Sequence, residues 1–351
     1  MIVYWAIAIL CILINMIPVK NEKQYSYRLI ISLIPLFLYG SLRVDYGLDY
    51  NGYEAYFNSV KSGWSFDERN EIGYYYLNKY LPTFRSLLIV QSILLCTAYF
   101  YIFKRYVPAK YACLGFVVLY LNGPVTIFFM LSGIRNGIAM SLLILSTYFI
   151  YTRKIIFYAI FVFVAYLFHN SVIFVAPVAY FIGSRMRIDK RSMIVWLSVV
   201  ILIAFISETN ILNYINDFIT SYYDRYSVYI ENALYQENKP GILAAMFSFM
   251  VSIVLFLLFK DKSLNEKERM IISFTLLFLL SYTFGALNFR LTQYYAPYFI
   301  AGTVTVYSKG TNRILTQFYF VAIVAYMIYA FMLWFNNPYF SYDTYKSILF
   351  N

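Results

Sequence analysis

Charge is scarce in this chain, cysteine is rare and histidine is nearly missing. Of 351 residues, 13% are charged and 62% hydrophobic, with three cysteines and a single histidine. A soluble domain is roughly a quarter charged, so the composition excludes that class and fits an all-α polytopic integral membrane protein. Cys11, Cys96 and Cys113 fall inside or at the ends of apolar runs, without the spacing of metal ligands. That excludes a disulfide framework and a cysteine metal site. There is no Gly-rich phosphate loop, no internal repeat and no separate soluble domain, so residues 1–351 read as a single transmembrane domain. The opening Met1-Ile2-Val3-Tyr4-Trp5 lacks the basic segment and small-residue cleavage site of a signal peptide, so the first apolar run is expected to stay in the mature protein.

What the chain does have is apolar runs, twelve of them, at about 2–19, 28–42, 86–103, 111–131, 133–151, 155–168, 170–183, 193–207, 242–259, 270–287, 292–307 and 314–335. Several are shorter than the ~20 residues of a straight crossing, so about 12 transmembrane helices are expected, some thinned, snorkelled or partly re-entrant.

The net charge of +11 would suit nucleic acid, but its distribution argues for topology instead. One alternate set of connections holds Lys20, Lys23 and Arg28; Lys104, Arg105 and Lys110; Arg153 and Lys154; Arg185, Arg187, Lys190 and Arg191; Lys260, Lys262, Lys267 and Arg269; and Lys309 and Arg313. These are 18 of the 28 basic residues, against 5 of the 17 acidic ones. By the positive-inside rule this set is cytoplasmic, and both termini are expected outside. Trp5 and Trp334 then fall at the outer interface, where amphipathic rings concentrate.

The same parity places two narrow polar gaps outside: Ser132-Gly133-Ile134-Arg135-Asn136-Gly137, and Phe168-His169-Asn170-Ser171. An ionisable group at membrane depth is costly and therefore points to function. Arg135 opens a helix, where unpaired N–H groups and the positive dipole end favour an anion and the guanidinium adds a planar donor fork. A phosphate-bearing ligand suits it; the structural alternative is a snorkelling arginine. Arg290, in Leu287-Asn288-Phe289-Arg290, occupies another narrow outer gap and is expected either to share a diphosphate with Arg135 or to pair with a loop carboxylate such as Glu71. His169 can accept a proton from a hydroxyl at neutral pH, or it can be a structural histidine satisfied by Asn170 and Ser171.

Two long outer loops are expected, 43–85 and 208–241, each lying as short amphipathic helices at the outer interface. Long loops usually carry function. In the first, Asp45 and Asp49 are four apart and would share a helix face, although Tyr46-Gly47 between them suits a turn equally well. They offer too few ligands for an oxygen-rich metal site, and no metal is expected. Arg43 is close enough in sequence to neutralise Asp45. The interleaved Tyr, Asp and Asn residues of both loops suit carbohydrate, with an ordinary interfacial aromatic belt as the structural alternative.

Taken together, Arg43-x-Asp45-x-Gly47-x-Asp49-Tyr50-x-x-Tyr53, Glu71-x-Gly73-Tyr74, Ser132-Gly133-x-Arg135-Asn136-x-x-Ala139 and Phe168-His169-x-Ser171 resemble the EpsG-like family of Wzy-type bacterial polysaccharide polymerases. Order and spacing match over about residues 40–185, with a looser match at Tyr223-Asp224-Arg225-Tyr226 and at Arg290 with Tyr294. The resemblance implies a metal-independent glycosyltransferase of the lipid-linked membrane branch, in the cytoplasmic membrane, needing no cofactor. It would join oligosaccharide repeat units carried on undecaprenyl diphosphate into a capsule, exopolysaccharide or O-antigen. Arg135 and Arg290 would then hold the diphosphate, and His169 or Asp45 would activate the acceptor hydroxyl. Arg43, Asp49, Tyr50, Glu71, Tyr223, Asp224 and Arg225 would bind sugar. Membrane lipid, a flippase and a chain-length regulator are the implied partners, and nucleic acid is not. The rival classes are a membrane O-acyltransferase, which needs access to a cytoplasmic acyl donor, and a transporter of lipid-linked sugar, for which symmetric halves would be typical.

Overall fold

A computed structural model describes residues 2–66, 71–123, 126, 128–208, 242–260, 264–280, 293–335 and 345–349. Among these, the regular structure is helical apart from one isolated β-bridge, Arg43 with Ser347. The α-helices are α1 Ile2–Met16, α2 Glu22–Ser41, α3 Tyr50–Lys61, α4 Ile72–Tyr80, α5 Phe84–Tyr106, α6 Ala112–Leu121, α7 Ile134–Tyr151, α8 Ile155–Phe168, α9 Val172–Arg185, α10 Lys190–Glu208, α11 Ile242–Phe259, α12 Glu266–Leu280, α13 Ala296–Lys309 and α14 Arg313–Phe335.

Among the described residues the apolar runs are largely helical, but length and composition separate them. Among the described residues, three helical segments are long and apolar enough to cross a membrane: Phe84–Tyr106, Ile134–Tyr151 and Arg313–Met332. Shorter apolar helices follow at Ile2–Met16, Ala109–Leu121, Ile155–Phe168, Val172–Arg185 and Ala245–Phe259. The reason is geometric. A 14-residue helix such as α8 rises about 21 Å at 1.5 Å per residue, short of a hydrocarbon core of about 30 Å. The expected run 111–131 is also not one helix: α6 stops at Leu121 and a π-helical turn, Phe128–Ser132, precedes α7. The interruption falls at Asn122, the C-cap of α6, and Gly123 and Thr126 beyond it are again helical.

The outward faces confirm the medium. Ile156, Phe163, Phe174 and Phe181 are each more than 60% exposed, which in water would be an aggregation liability and in hydrocarbon is ordinary solvation. This is a membrane protein.

The chain forms two compact units, Met1–Ala176 with Val324–Asn351, and Pro177–Ile323. In the first, α2 packs on α1 and α5, α5 on α7, and α7 on α8, while α3 and α4 rest on α5 and α4 also on α8. Local signals set the helix starts. Asn21 caps α2 through Gln24 N–H at 2.9 Å, and Thr83 with Ser86 forms a capping box at the start of α5, each satisfying orphan donors. In the second unit, α10 packs on α11, α11 on α12 and α12 on α13, with Lys309 paired to Glu268.

Contacts within the first unit sort its connections onto two ends. Arg28 donates to the Ile17 and Ala109 carbonyls, Lys104 pairs with Glu22, and Arg105 lies over the Tyr148 and Tyr151 rings. The connections around Lys20, Lys104 and Lys154 therefore share one end. The segments around Arg43, Glu71, Arg135, His169 and Lys346 meet at the other.

Candidate functional site

The site begins with a tight turn. Asp45 and Gly47 both have positive φ, 45° and 114°, a region that glycine enters freely and aspartate tolerates. A Cβ on Gly47 would stand 2.3 Å from the Leu131 carbonyl oxygen, so glycine lets the turn lie directly against the π-helical segment. One residue on, Leu48 N–H donates to Ser132 Oγ at 3.0 Å. The first long loop is thereby fastened to the residues that open α7.

After the turn, α3 and α4 seat their apolar faces on α5 and α7. Tyr50, Phe57 and Tyr74 pack with Phe84, Leu87, Leu88, Ile134 and Ile138. This pairing of two short helices carries Glu71 to the centre of the site.

Glu71 occupies the N-cap position of α4, where a carboxylate commonly accepts from the helix's free N–H groups. Here its side chain makes no cap bond. It turns to two partners far along the chain: Arg135 Nη1 donates to Oε2 at 2.5 Å, and His169 Nδ1 lies 3.3 Å from Oε1. Glu71 is buried at 6% exposure, and burial favours the neutral acid. The hydrogen bond with His169 and the charge of Arg135 outweigh that cost and hold the carboxyl down at about 2. The Arg135 guanidinium also lies over the Tyr53 and Tyr74 rings, 5.9 and 5.8 Å from their centroids, within cation–π range.

Each partner is set by a chain break. Arg135 is the second residue of α7, after Gly133 as N-cap, so a cation sits beside the positive end of a helix dipole, an arrangement that calls for an anion. His169 ends α8 in extended geometry, and its N–H donates to the Ala165 carbonyl at 3.1 Å. α4 reaches α8 at Gly73, where a Cβ would come within 2.8 Å of the Leu167 carbonyl oxygen. The Glu71-x-Gly73-Tyr74 motif thus supplies the carboxylate, the close approach and a ring under the arginine.

The other residues expected in the site are placed differently. Arg43 is fully buried and does not neutralise Asp45. It donates to the Gly40 carbonyl and to Gln91 Oε1, and Gln91 in turn donates to Phe129 O at 2.6 Å. Asp45 is half exposed and pairs with Lys346 at 2.9 Å, whose hydrogen bond holds its carboxyl below the usual range. Asp49 is exposed at the N-cap of α3, and Tyr50 is buried edge-on against Phe84. Glu71, expected as a partner for Arg290, pairs with Arg135. Arg290, Tyr223, Asp224 and Arg225 lie outside the described residues, as does the second loop from 209 to 241. Among the described residues, no group of three or more His, Cys, Asp or Glu side chains is arranged to hold a metal ion.

Two contributors lacked an assigned role in the sequence reading. Tyr53 and Tyr74 were legible as motif positions, yet nothing in their spacing tells that both rings flank one guanidinium. The C-terminal segment is the other: Val44 N–H bonds Lys346 O at 3.1 Å, Ile348 N–H bonds Leu42 O at 3.1 Å, and Tyr345 stacks on Tyr39 at 4.7 Å.

Fold and site together define a helical, polytopic membrane protein with a charged centre at the end of its first unit opposite the basic connections. Within that class the chain belongs to the EpsG family, whose model matches residues 25–347, nearly its whole length; such proteins are Wzy-type polysaccharide polymerases. The family implies a polymerase-type glycosyltransferase with a lipid-linked oligosaccharide as substrate. Searches of curated proteins and of solved structures found no match to the chain.

Proposed function

We propose that the chain joins oligosaccharide repeat units carried on undecaprenyl diphosphate into a surface polysaccharide at the outer face of the bacterial cytoplasmic membrane. The observation that carries this reading is the meeting of Arg135 and His169 on one buried carboxylate, Glu71. A cation at a helix N-terminus suits the diphosphate of the donor, and an imidazole beside it suits the acceptor hydroxyl. In a direct displacement the acceptor oxygen attacks the anomeric carbon, His169 takes the hydroxyl proton, and the lipid diphosphate leaves with its charge stabilised by arginine. The anomeric carbon is inverted, and the chemistry needs no metal. Arg290 is the second diphosphate ligand of this reading. Asp45 is the alternative base, and its pairing with Lys346 makes His169 the better choice. Asp49, with Tyr223, Asp224 and Arg225, supplies the sugar contacts of this reading, while Tyr50 packs in the apolar cluster.

About twelve crossings, with both termini outside, put this centre outside and the Lys104 and Lys154 connections in the cytoplasm. A flippase and a chain-length regulator are the expected partners. Reconstitution into liposomes with a purified lipid-linked repeat unit tests the reading. A ladder of polymer lengths, unchanged by EDTA, is the expected product. Acyl transfer would instead append an acyl label at constant sugar length, and transport would move the substrate between leaflets unchanged.

A further inference from the structure

The one histidine of the chain is held by a group that the polymerase reading alone leaves among the sugar contacts. Glu71 is paired with a guanidinium that keeps it ionised, and an ionised carboxylate can only accept hydrogen bonds. Its Oε1 faces Nδ1 of His169 at 3.3 Å, so Nδ1 must carry the proton for this contact to be a hydrogen bond. The imidazole backbone is also fixed, by His169 N–H to Ala165 O at 3.1 Å and by Val172 N–H to the His169 carbonyl at 3.2 Å. Gly73 against Leu167 sets the distance between the two helix ends that bear the pair.

We infer that Glu71 is a positioning residue, which fixes His169 as the Nδ1-protonated tautomer and so presents an unprotonated Nε2 as the proton acceptor. Resting on the polymerase reading for the use of that base, the inference assigns Glu71 no contact with the sugar. Its carboxylate serves the base through one oxygen and neutralises the diphosphate-binding Arg135 through the other. An imidazole in water favours the opposite tautomer, with the proton on Nε2, so the effect of Glu71 is directly visible. The logic is that of any buried acid that orients a histidine: the acid chooses which nitrogen is basic.

Because histidine occurs once, a chain purified through a histidine-free tag and labelled with ¹⁵N in its imidazole gives one pair of nitrogen signals, both from His169. At pH 8 the wild type is expected to show a protonated Nδ1 and an unprotonated Nε2. Glu71→Ala is expected to return to the Nε2-protonated form, and Glu71→Gln to a mixture. Polymerisation by Glu71→Gln should fall about 100-fold in kcat, the low end of what a positioned base supplies, with KM for the lipid-linked donor not raised. A wild-type imidazole protonated on Nε2 overturns the inference, and so does the same tautomer in wild type and Glu71→Ala. If Glu71→Ala does not fold, the wild-type spectrum still decides. The tautomer needs no turnover to be read, so an Nδ1-protonated imidazole in a wild type that makes no ladder supports the Glu71 assignment and counts against the polymerase reading alone.

Discussion

Gly73 and Leu167 lie so close that a single added methyl would reach the Leu167 carbonyl oxygen at 2.8 Å and its Cβ at 2.9 Å. The first atom is backbone, which cannot swing aside as a side-chain end can. Gly73→Ala is therefore expected to force α4 from α8, to lower stability by about 1–3 kcal/mol as overpacking does, and to pull Glu71 from His169. Thermal unfolding in detergent, with the polymer ladder measured beside it, checks both effects. A Tm within a degree of wild type would show that the two helices are not in this contact.

Arg135 and Glu71 are coupled strongly enough for a double-mutant cycle. Removing one partner of a buried pair leaves the other charge uncompensated, at about 3–5 kcal/mol. Roughly a third of the Arg135 side chain is exposed, so Arg135→Ala should fall at the lower end of that range. Arg135→Ala combined with Glu71→Ala should cost less than the two single changes added, with a coupling of about 1–3 kcal/mol. Additive losses would mean that the pair does not form.

Acid should weaken this centre in a defined window. Glu71 sits at about 2 in the folded chain against an ordinary glutamate value of 4.5, so the folded state holds its proton less tightly than the unfolded one. Its contribution, about 3 kcal/mol for such a shift, is fully present above the unfolded value and is lost as pH falls from about 4.5 toward 2. The Tm gap between wild type and Glu71→Gln is expected to narrow over that range.

The C-terminal segment acts by backbone rather than by charge. Lys346 and Asp45 are each about half exposed, where solvent screens the pair, so Lys346→Ala should change stability little. Ile348→Pro removes the N–H that bonds the Leu42 carbonyl, loosening the segment beside the Asp45–Gly47 turn that rests on Leu131. A clear loss of Tm and of polymer in Ile348→Pro, with Lys346→Ala near wild type, is the expected pattern in a side-by-side assay.

Much of the site was legible in the sequence because a membrane makes polar residues conspicuous. Arg135 and His169 stood out as ionisable groups in narrow gaps, and the charge parity of the connections anticipated the end they share in the first unit. The carboxylate between them was harder to read. Glu71 is 64 residues from Arg135 and 98 from His169, and no local spacing expresses a pairing that depends on α4 lying across α8. Arg43 shows the opposite limit. It looked like a partner for Asp45, but its guanidinium answers the Gly40 carbonyl and Gln91, demands that arise only from packing. The interruption at Asn122 rests on one polar residue, and the apolar residues around it read as one continuous run.

One comparison tests the chemistry most directly: polymerisation of a purified lipid-linked repeat unit by wild type, Arg135→Ala and His169→Ala, at matched amounts of folded protein. A ladder from wild type, lost in both variants and insensitive to EDTA, is the result expected if Arg135 holds the diphosphate and His169 takes the acceptor proton. A full ladder from His169→Ala would contradict the assignment of the base, and one from Arg135→Ala would remove the diphosphate from this centre.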